Sequence, residues 1–162
     1  NTVHGYTATQ ALVDGPAGKK GFREGRAAAQ NIVPTSTGAA IAVTKAFTEL
    51  TNKFDGVSIR VPVPAGSIVD ITFIAKRDTT KEEVNEILKK AAGEERWSKL
   101  FSVTDEPIVS SDILGSRYAS IADLEMTRVV DGNLVKVLGW YDNEMGYTYT
   151  LVDHVIKTGE MI

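Results

Sequence analysis

The sequence predicts an α+β domain with a mainly antiparallel or mixed sheet and helices on one face. Two apolar segments, residues 57–63 and 67–75, alternate with a period of two, which is typical of strands with one apolar face. Residues 80–91 instead repeat their apolar side chains at helical spacing. The strands and helices do not alternate regularly, as they would in a parallel sheet, so the α+β class is favoured.

The first part of the chain predicts a strand and a long loop. Residues 2–7 alternate and carry β-favouring side chains, which predicts the strand. Residues 10–31 include four glycines and four basic side chains, and this composition predicts the loop. Within it, the run 15–21 lacks the spacing of a P-loop and is interpreted as flexible rather than as a phosphate cradle.

Start signals define two helices. The first follows Ser36-Thr37-Gly38, where a hydroxyl of Ser36 or Thr37 is expected to accept an unpaired N–H group of the first turn. The second begins at the capping box Thr80-Lys81-Glu82-Glu83 and carries Glu86 and Lys90 as an i, i+4 pair. The apolar positions are Ala40, Val43, Phe47 and Leu50 in the first helix and Val84, Ile87, Leu88 and Ala91 in the second.

The remaining elements complete the predicted sheet. The short link 64–66 predicts that strands 57–63 and 67–75 are antiparallel neighbours, and Pro62 suits a strand edge or end because it cannot donate to the ladder. Further strands are expected at 101–103, 118–121, 125–130 and 134–141, and a last helix at about 147–157. The apolar side of that helix carries Tyr147, Leu151 and Val155.

Composition excludes several kinds of site. The chain has 18 basic and 21 acidic side chains and a net charge of −3, which disfavours nucleic acid as its main partner. It contains no cysteine, so disulfides, thiolate metal sites and thiol catalysis within these 162 residues are excluded. No apolar run approaches the roughly 18 residues of a membrane span, and no signal-peptide pattern is present, so a cytoplasmic location is expected. A start at Asn1 without Met fits a fragment and a trimmed chain equally.

Three segments offer ligands for an anion. Thr7 and Thr9 are expected to face the same side of a strand-like stretch. Arg60 lies on the polar side of an apolar strand, where a guanidinium pairs with a carboxylate or with an anionic ligand. Thr37 and Gly38 open a helix, whose free N–H groups favour phosphate. Each segment also has a structural interpretation. The threonines would reflect β-propensity alone, the arginine would be a surface charge, and the helix start would be a simple cap.

The chain contains two histidines. His4 is a candidate general base near neutral pH, although a single His in a strand is more often structural. His154, in the last predicted helix, has no partner at metal-ligand spacing and is interpreted as structural. The sequence therefore predicts no metal site.

Four segments, taken in order, resemble phosphorylating glyceraldehyde-3-phosphate dehydrogenase. They read TVHGYTATQ at residues 2–10, AAAQNIVPTSTGAA at 27–40, RVP at 60–62 and WYDNEMGY at 140–147. The resemblance covers only the catalytic half of that enzyme. It implies that residues 1–141 are the catalytic domain and that 142–162 form a C-terminal helix that packs on the cofactor domain. It also implies a nucleophilic Cys, in a Ser-Cys-Thr-Thr-Asn segment before the His motif, so this chain alone is expected to be inactive.

The resemblance assigns roles to single residues of the first half. It implies that His4 pairs with the Cys thiolate and then takes the substrate's hydroxyl proton as hydride leaves. It implies that Thr7, Thr9 and Arg60 form the site for the substrate phosphate. These roles agree with the candidate base and anion ligands found above.

The resemblance also implies a second phosphate site and a cofactor contact. Thr37 and Gly38 resemble the site for attacking inorganic phosphate. Asn143 resembles the residue that hydrogen-bonds the nicotinamide carboxamide, with Tyr147 in support. Residues 10–31 resemble the loop that lines the subunit interface, in which Arg23 and Arg26 are interpreted as interface or loop-anchoring residues.

The family implies NAD as cofactor, with NADP not excluded and no cofactor bound tightly by this part alone. It implies oxidation and phosphorylation of glyceraldehyde 3-phosphate by inorganic phosphate to 1,3-bisphosphoglycerate, through a thioester, in a glycolytic homotetramer. Neither nucleic acid nor a membrane is an expected partner. Two alternatives stay open. One is a non-catalytic oligomerisation or complementation module derived from that enzyme. The other is an erythrose-4-phosphate dehydrogenase, which the Thr7-Ala8-Thr9 stretch disfavours by resemblance.

Overall fold

The computed structural model describes residues 1–17 and 21–162. The chain divides into two compact units, Asn1–Pro64 and Ala65–Ile162. The prediction of a flexible loop over the run 15–21 falls in part on Gly18, Lys19 and Lys20, which lie outside the described residues. No helix of the described residues is long and apolar enough to cross a membrane.

The first unit is built around a central strand, β3. Its elements are β1 (Thr2–Gly5), β2 (Val33–Ser36), α1 (Ala39–Ala46) and β3 (Val57–Val61), with 3₁₀ turns at Phe22–Gly25 and Thr48–Leu50. Strand β3 pairs with β1 in parallel and with β2 in antiparallel orientation. In the parallel pair, His4 is opposite Arg60. Because paired residues share a face of the sheet, this register brings an imidazole and a guanidinium together.

The predicted pairing of strand 57–63 with strand 67–75 is wrong. Both edges of β3 are taken, by β1 and by β2. The sequence analysis predicted no strand at β2, whose Pro34 cannot donate to a ladder. In the structure β2 is the edge strand of its sheet, where a proline is tolerated.

The start and the end of α1 differ from the prediction. Gly38, rather than Ser36 or Thr37, occupies the N-cap position and makes no side-chain cap. The hydroxyl of Thr37 still accepts a first-turn donor, because the Ala39 N–H lies 3.2 Å from its Oγ1. The helix ends at Ala46, so the predicted apolar position Phe47 is its C-cap and is exposed.

The second unit contains four strands and two helices. They are β4 (Ser67–Ile74), α2 (Lys81–Gly93), β5 (Phe101–Thr104), β6 (Ser120–Val130), β7 (Leu134–Tyr141) and α3 (Met145–Gly159). The strand order is β4-β7-β6-β5, with β5 and β6 parallel and the other pairs antiparallel. Parallel and antiparallel pairs thus occur in both units. The predicted α+β fold with mixed strand pairing is confirmed.

Strand β6 replaces two predicted strands, 118–121 and 125–130. Its pairing with β7 shifts register between Asp123 and Arg128. Such a bulge breaks the alternation of side chains, so the sequence pattern resembled two short strands. Strand β7 has its predicted bounds.

Helix α2 packs against β5 and β6 and begins as the capping box predicts, but only half of the box forms. Thr80 Oγ1 accepts the Glu83 N–H at 3.2 Å. The Glu83 carboxylate binds Arg77 and the Thr79 hydroxyl, not the Thr80 N–H. On the outer face Glu86 pairs with Lys89, one residue before the predicted Lys90.

Candidate functional site

The contact between His4 and Arg60 is the centre of the candidate site. Arg60 Nη1 lies 2.7 Å from His4 Nδ1 and 3.2 Å from the Gly5 carbonyl oxygen. Nδ1 also lies 2.7 Å from the Gly5 carbonyl oxygen, so according to the tautomer it either accepts from Arg60 or donates to Gly5. The tautomer that accepts from Arg60 carries its proton on Nε2. The register of β1 and β3 explains the contact, since it places the two residues opposite each other.

The surroundings of His4 favour the neutral ring. Burial lowers the pKa of His4 below its ordinary value, and the hydrogen bond between Nδ1 and the Gly5 carbonyl, at 2.7 Å, opposes this effect. The positive charge of Arg60 lowers the pKa further. A neutral imidazole at physiological pH is a form that accepts a proton, as a general base must.

Thr7 and Thr9 lie on a turn after β1, not on the strand-like stretch that was predicted. Their hydroxyl oxygens are still adjacent, 3.1 Å apart. The turn is closed by the Gln10 N–H, which donates to the Thr7 carbonyl at 2.9 Å. Two hydroxyls at this separation can donate to two oxygens of one phosphate group.

The sequence analysis missed Gln10, which holds this turn. Its side-chain Oε1 accepts the Thr7 N–H at 3.3 Å, and the residue is buried. Among the described residues its Nε2 has no hydrogen-bond partner. A polar residue three positions after Thr7 is the available signal, because side chains bond turn backbones at this spacing.

Thr37 and Gly38 form the start of α1. The free N–H groups and the dipole of a helix N-terminus attract anions. A Cβ built on Gly38 meets no atom within 4 Å, and its φ of −82° suits any residue. Neither packing nor backbone conformation therefore requires glycine here. The open space in front of the helix agrees with room for a ligand.

Asn143 and Tyr147 belong to the second unit, whereas the residues described so far belong to the first. Asn143 Oδ1 accepts the Gly66 N–H at 3.2 Å, which leaves its NH₂ group as a donor. Gly66 has a φ of +86°, and a Cβ there would lie 2.9 Å from the Ser110 carbonyl oxygen, so this contact requires glycine. Tyr147, in the first turn of α3, is 66 % exposed.

Asp142 is a second residue that the sequence analysis missed. Its buried carboxylate accepts the N–H groups of Gly115, Glu144 and Met145 at 2.8, 2.8 and 2.9 Å. Burial raises the pKa of Asp142, but the three N–H donors outweigh burial and hold it below the ordinary value. These bonds fix the turn that carries Asn143. The available signal was an acidic residue just before a helix.

In the described ranges, 1–17 and 21–162, no group of three or more His, Asp or Glu side chains is placed to hold a metal ion. Arg23 and Arg26 both make contacts within the first unit. Arg23 Nη1 donates to the Pro34 carbonyl at 3.4 Å, and Arg26 Nε pairs with Asp14 at 3.2 Å. The first bond joins the loop to β2, and the second lies within the loop.

Comparison with known proteins finds extensive similarity. A family model described as "Glyceraldehyde 3-phosphate dehydrogenase, C-terminal domain" matches residues 1–143. Glyceraldehyde-3-phosphate dehydrogenase 2 of Streptomyces avermitilis is 48 % identical over 99 % of this chain and 47 % of its own length. The Borreliella burgdorferi enzyme is 48 % identical over 94 % of this chain and 45 % of its own. The Haloarcula vallismortis enzyme is 49 % identical over 94 % of this chain and 44 % of its own length. The chain thus spans about half the length of these relatives.

Proposed function

Because this chain belongs to the C-terminal domain family of glyceraldehyde-3-phosphate dehydrogenase, we propose that it is the catalytic domain of such an enzyme. The reaction is oxidation and phosphorylation of glyceraldehyde 3-phosphate to 1,3-bisphosphoglycerate, through a thioester. The observation that carries this proposal is 48 % identity over 99 % of the chain to a relative of that name. As for other enzymes of glycolysis, the proposed location is the cytoplasm and the proposed assembly a homotetramer.

In this proposal His4 is the general base. It stabilises the thiolate of a Cys that lies outside these residues and takes the proton of the substrate's hydroxyl. The lowered pKa of His4 and the contact with the Arg60 guanidinium support a role that needs the neutral ring. Arg60 supports the role from the neighbouring strand, because its positive charge disfavours a protonated His4 until a negative group is near.

Two groups of residues are proposed to bind phosphate. Thr7, Thr9 and Arg60 bind the phosphate of the substrate, supported by the 3.1 Å separation of the two hydroxyls. Thr37 and the Gly38 N–H bind the attacking inorganic phosphate, supported by the open helix N-terminus. Both groups consist of neutral or positive donors, as a doubly charged phosphate requires.

Asn143 is proposed to hold the nicotinamide cofactor, with Tyr147 in support. The Gly66 N–H occupies Asn143 Oδ1, so the remaining NH₂ group fits the carbonyl oxygen of a carboxamide. The cofactor, NAD or NADP, would supply the hydride acceptor when bound. The residues of this chain fix its orientation, and this part alone is not expected to bind it tightly.

We further propose that residues 1–141 are the catalytic domain and that 142–162 pack on the cofactor domain. The family match ends at residue 143, close to this boundary. Helix α3 exposes large apolar side chains along its length, which supports a partner surface there. These side chains are Tyr147, Leu151, Val152, Val155 and Ile156.

An activity assay tests the proposed function. The 162 residues contain no thiol, so the chain with glyceraldehyde 3-phosphate, NAD and phosphate is expected to produce no NADH. Addition of a polypeptide that supplies the cofactor domain and Ser-Cys-Thr-Thr-Asn segment of a relative is expected to produce NADH. In that mixture His4→Ala should lower the rate about 100-fold or more, the typical contribution of a general base. His154→Ala is the matched control, and with the added polypeptide at saturating concentration it should leave the rate unchanged.

The outcomes separate this proposal from its alternatives. Turnover by the chain alone would refute the inactivity of the isolated chain. A mixture that associates but never turns over would favour the non-catalytic complementation module. A restored rate that His4→Ala does not change would exclude His4 as the base.

A further inference from the structure

A cleft in the second unit shares no lining residue with the sites described above. It has a volume of about 520 Å³, within the range of small-molecule sites. Its lining combines two cations, two serine hydroxyls and two tyrosine rings. We name it the Arg117 cleft, and it is lined by Ser98, Lys99, Ser116, Arg117, Tyr118 and Tyr149.

Arg117 is oriented by stacking in this cleft. Its Cζ atom lies 4.7 Å from the centroid of the Tyr149 ring. This cation–π contact places the guanidinium over the ring face, and a guanidinium carries five N–H donors that can bind an anion. None of the six described lining residues is acidic, so the charges of Arg117 and Lys99 are not neutralised by the cleft itself. The cleft therefore offers two positive charges to an anion.

Two contacts at Tyr118 order one wall of the cleft before any ligand binds. A Cβ on Gly146, at the start of α3, would lie 2.6 Å from the Tyr118 carbonyl oxygen, so the helix approaches this segment closely. The Tyr118 N–H donates to Ser116 Oγ at 3.3 Å, which leaves the Ser116 hydroxyl proton to donate elsewhere. A site that is already ordered loses less free energy on binding.

We propose that the Arg117 cleft binds a phosphate ester of a planar aromatic group, of the nucleoside monophosphate class. Lys99 and Arg117 match the charge of a phosphate monoester, and the serine hydroxyls add donors. The tyrosine rings match a planar base, since any base can stack on an aromatic side chain. A bounded cleft in a chain of net charge −3 fits a single nucleotide better than a long nucleic acid.

Fluorine NMR of the chain labelled with 3-fluorotyrosine tests this site, with AMP as the probe. Tyr118→Phe and Tyr149→Phe assign the two resonances, which are expected to shift saturably with AMP. Arg117→Leu should weaken AMP binding about tenfold, since it removes a charge-assisted pair with phosphate. Arg96→Leu is the matched control, because Arg96 stacks on Trp97 at the same 4.7 Å and does not line the cleft.

Two further probes make the proposal falsifiable in each of its parts. If inorganic phosphate shifts the Tyr118 and Tyr149 resonances as tightly as AMP does, the aromatic part is overturned. If adenosine shifts these resonances as tightly as AMP does, the anionic part is overturned. If AMP shifts neither resonance, the whole proposal is overturned. This inference is independent of the proposed function, because phosphate bound beside Thr7 would shift the Tyr6 resonance instead. Lys99→Ala provides a second variant, and it should weaken AMP but not adenosine.

Discussion

At the scale of single residues, the folded chain holds His4 in the form that accepts a proton. Arg60 Nη1 lies 2.7 Å from His4 Nδ1, so a protonated ring would face a positive charge. Burial acts in the same direction, and the pKa of His4 is lowered. Proton binding by His4 is thereby coupled to folding.

This coupling predicts a loss of stability in mild acid. The folded state binds the His4 proton less tightly than the unfolded state, whose His has a pKa of about 6.5. The contribution of His4 to the free energy of unfolding is therefore complete above about pH 6.5. It is lost as the pH falls towards the lower pKa of the folded state. Urea unfolding of the chain and of His4→Gln across this range measures it. The difference in unfolding free energy between the two should shrink as the pH falls, and a constant difference would contradict the coupling.

The sequence identified the polar candidates of the first unit but not the residues that support them. Arg60 was predicted on the polar side of its strand, and the structure places it against His4. Gln10 was missed because its role depends on a turn that forms only when β1 ends at Gly5. Ser58, on the expected polar face, is only 2 % exposed, since β3 is a central strand. Burial of this kind depends on strand order, which local patterns do not encode.

At the scale of elements, the junction of β7 and α3 is fixed by one carboxylate. Asp142 uses Oδ1 for the Glu144 and Met145 N–H groups, at the start of α3, and Oδ2 for the Gly115 N–H. It thus joins a strand end, a helix start and a distant loop. The position of Asn143 follows from this arrangement, because it lies inside the turn that Asp142 holds.

Asp142→Asn is expected to destabilise the chain by about 2 kcal/mol. Asparagine has a single acceptor oxygen, so its NH₂ group would face either Gly115 or the first turn of α3. Thermal unfolding measures the change. Asp153→Asn on α3 is the matched control, because Asp153 makes only an exposed pair with Lys157 and should change stability little. Equal effects of the two substitutions would show that the Asp142 bonds do not hold the junction.

The sequence predicted those elements whose own residues carry a clear cap or periodic pattern. It did not predict those whose bounds depend on pairing with other strands. Helix α2 follows from the Thr80 cap and its apolar stripe, and β7 from its alternation. Strand β2 was missed, and its Pro34 is compatible with a strand only because β2 is at the edge of the sheet. The division of β6 into two strands came from its bulge, which only the pairing with β7 reveals.

At the scale of the whole molecule, apolar surface remains uncovered in the second unit. An apolar groove of about 380 Å³ lies between α2 and strands β4 and β7. Most of the large apolar side chains of helix α3 are exposed, and the exposed fractions of Val152 and Val155 are 53 % and 62 %. Surface of this kind marks an interaction site in a soluble protein.

The last prediction concerns α3 and its proposed contact with the cofactor domain. Val155→Lys should leave the fold of the chain intact, because the side chain is already mostly exposed. Burial of a valine side chain contributes about 1.5 kcal/mol or more, so association with the polypeptide that supplies the cofactor domain should weaken at least about tenfold. Val109→Lys is the matched control, since Val109 is also exposed in the second unit but lies outside α3. Calorimetric titration measures both variants. If Val155→Lys associates as tightly as Val109→Lys, the helix at 142–162 is not the surface that meets the cofactor domain, and the proposed boundary at residue 141 is wrong.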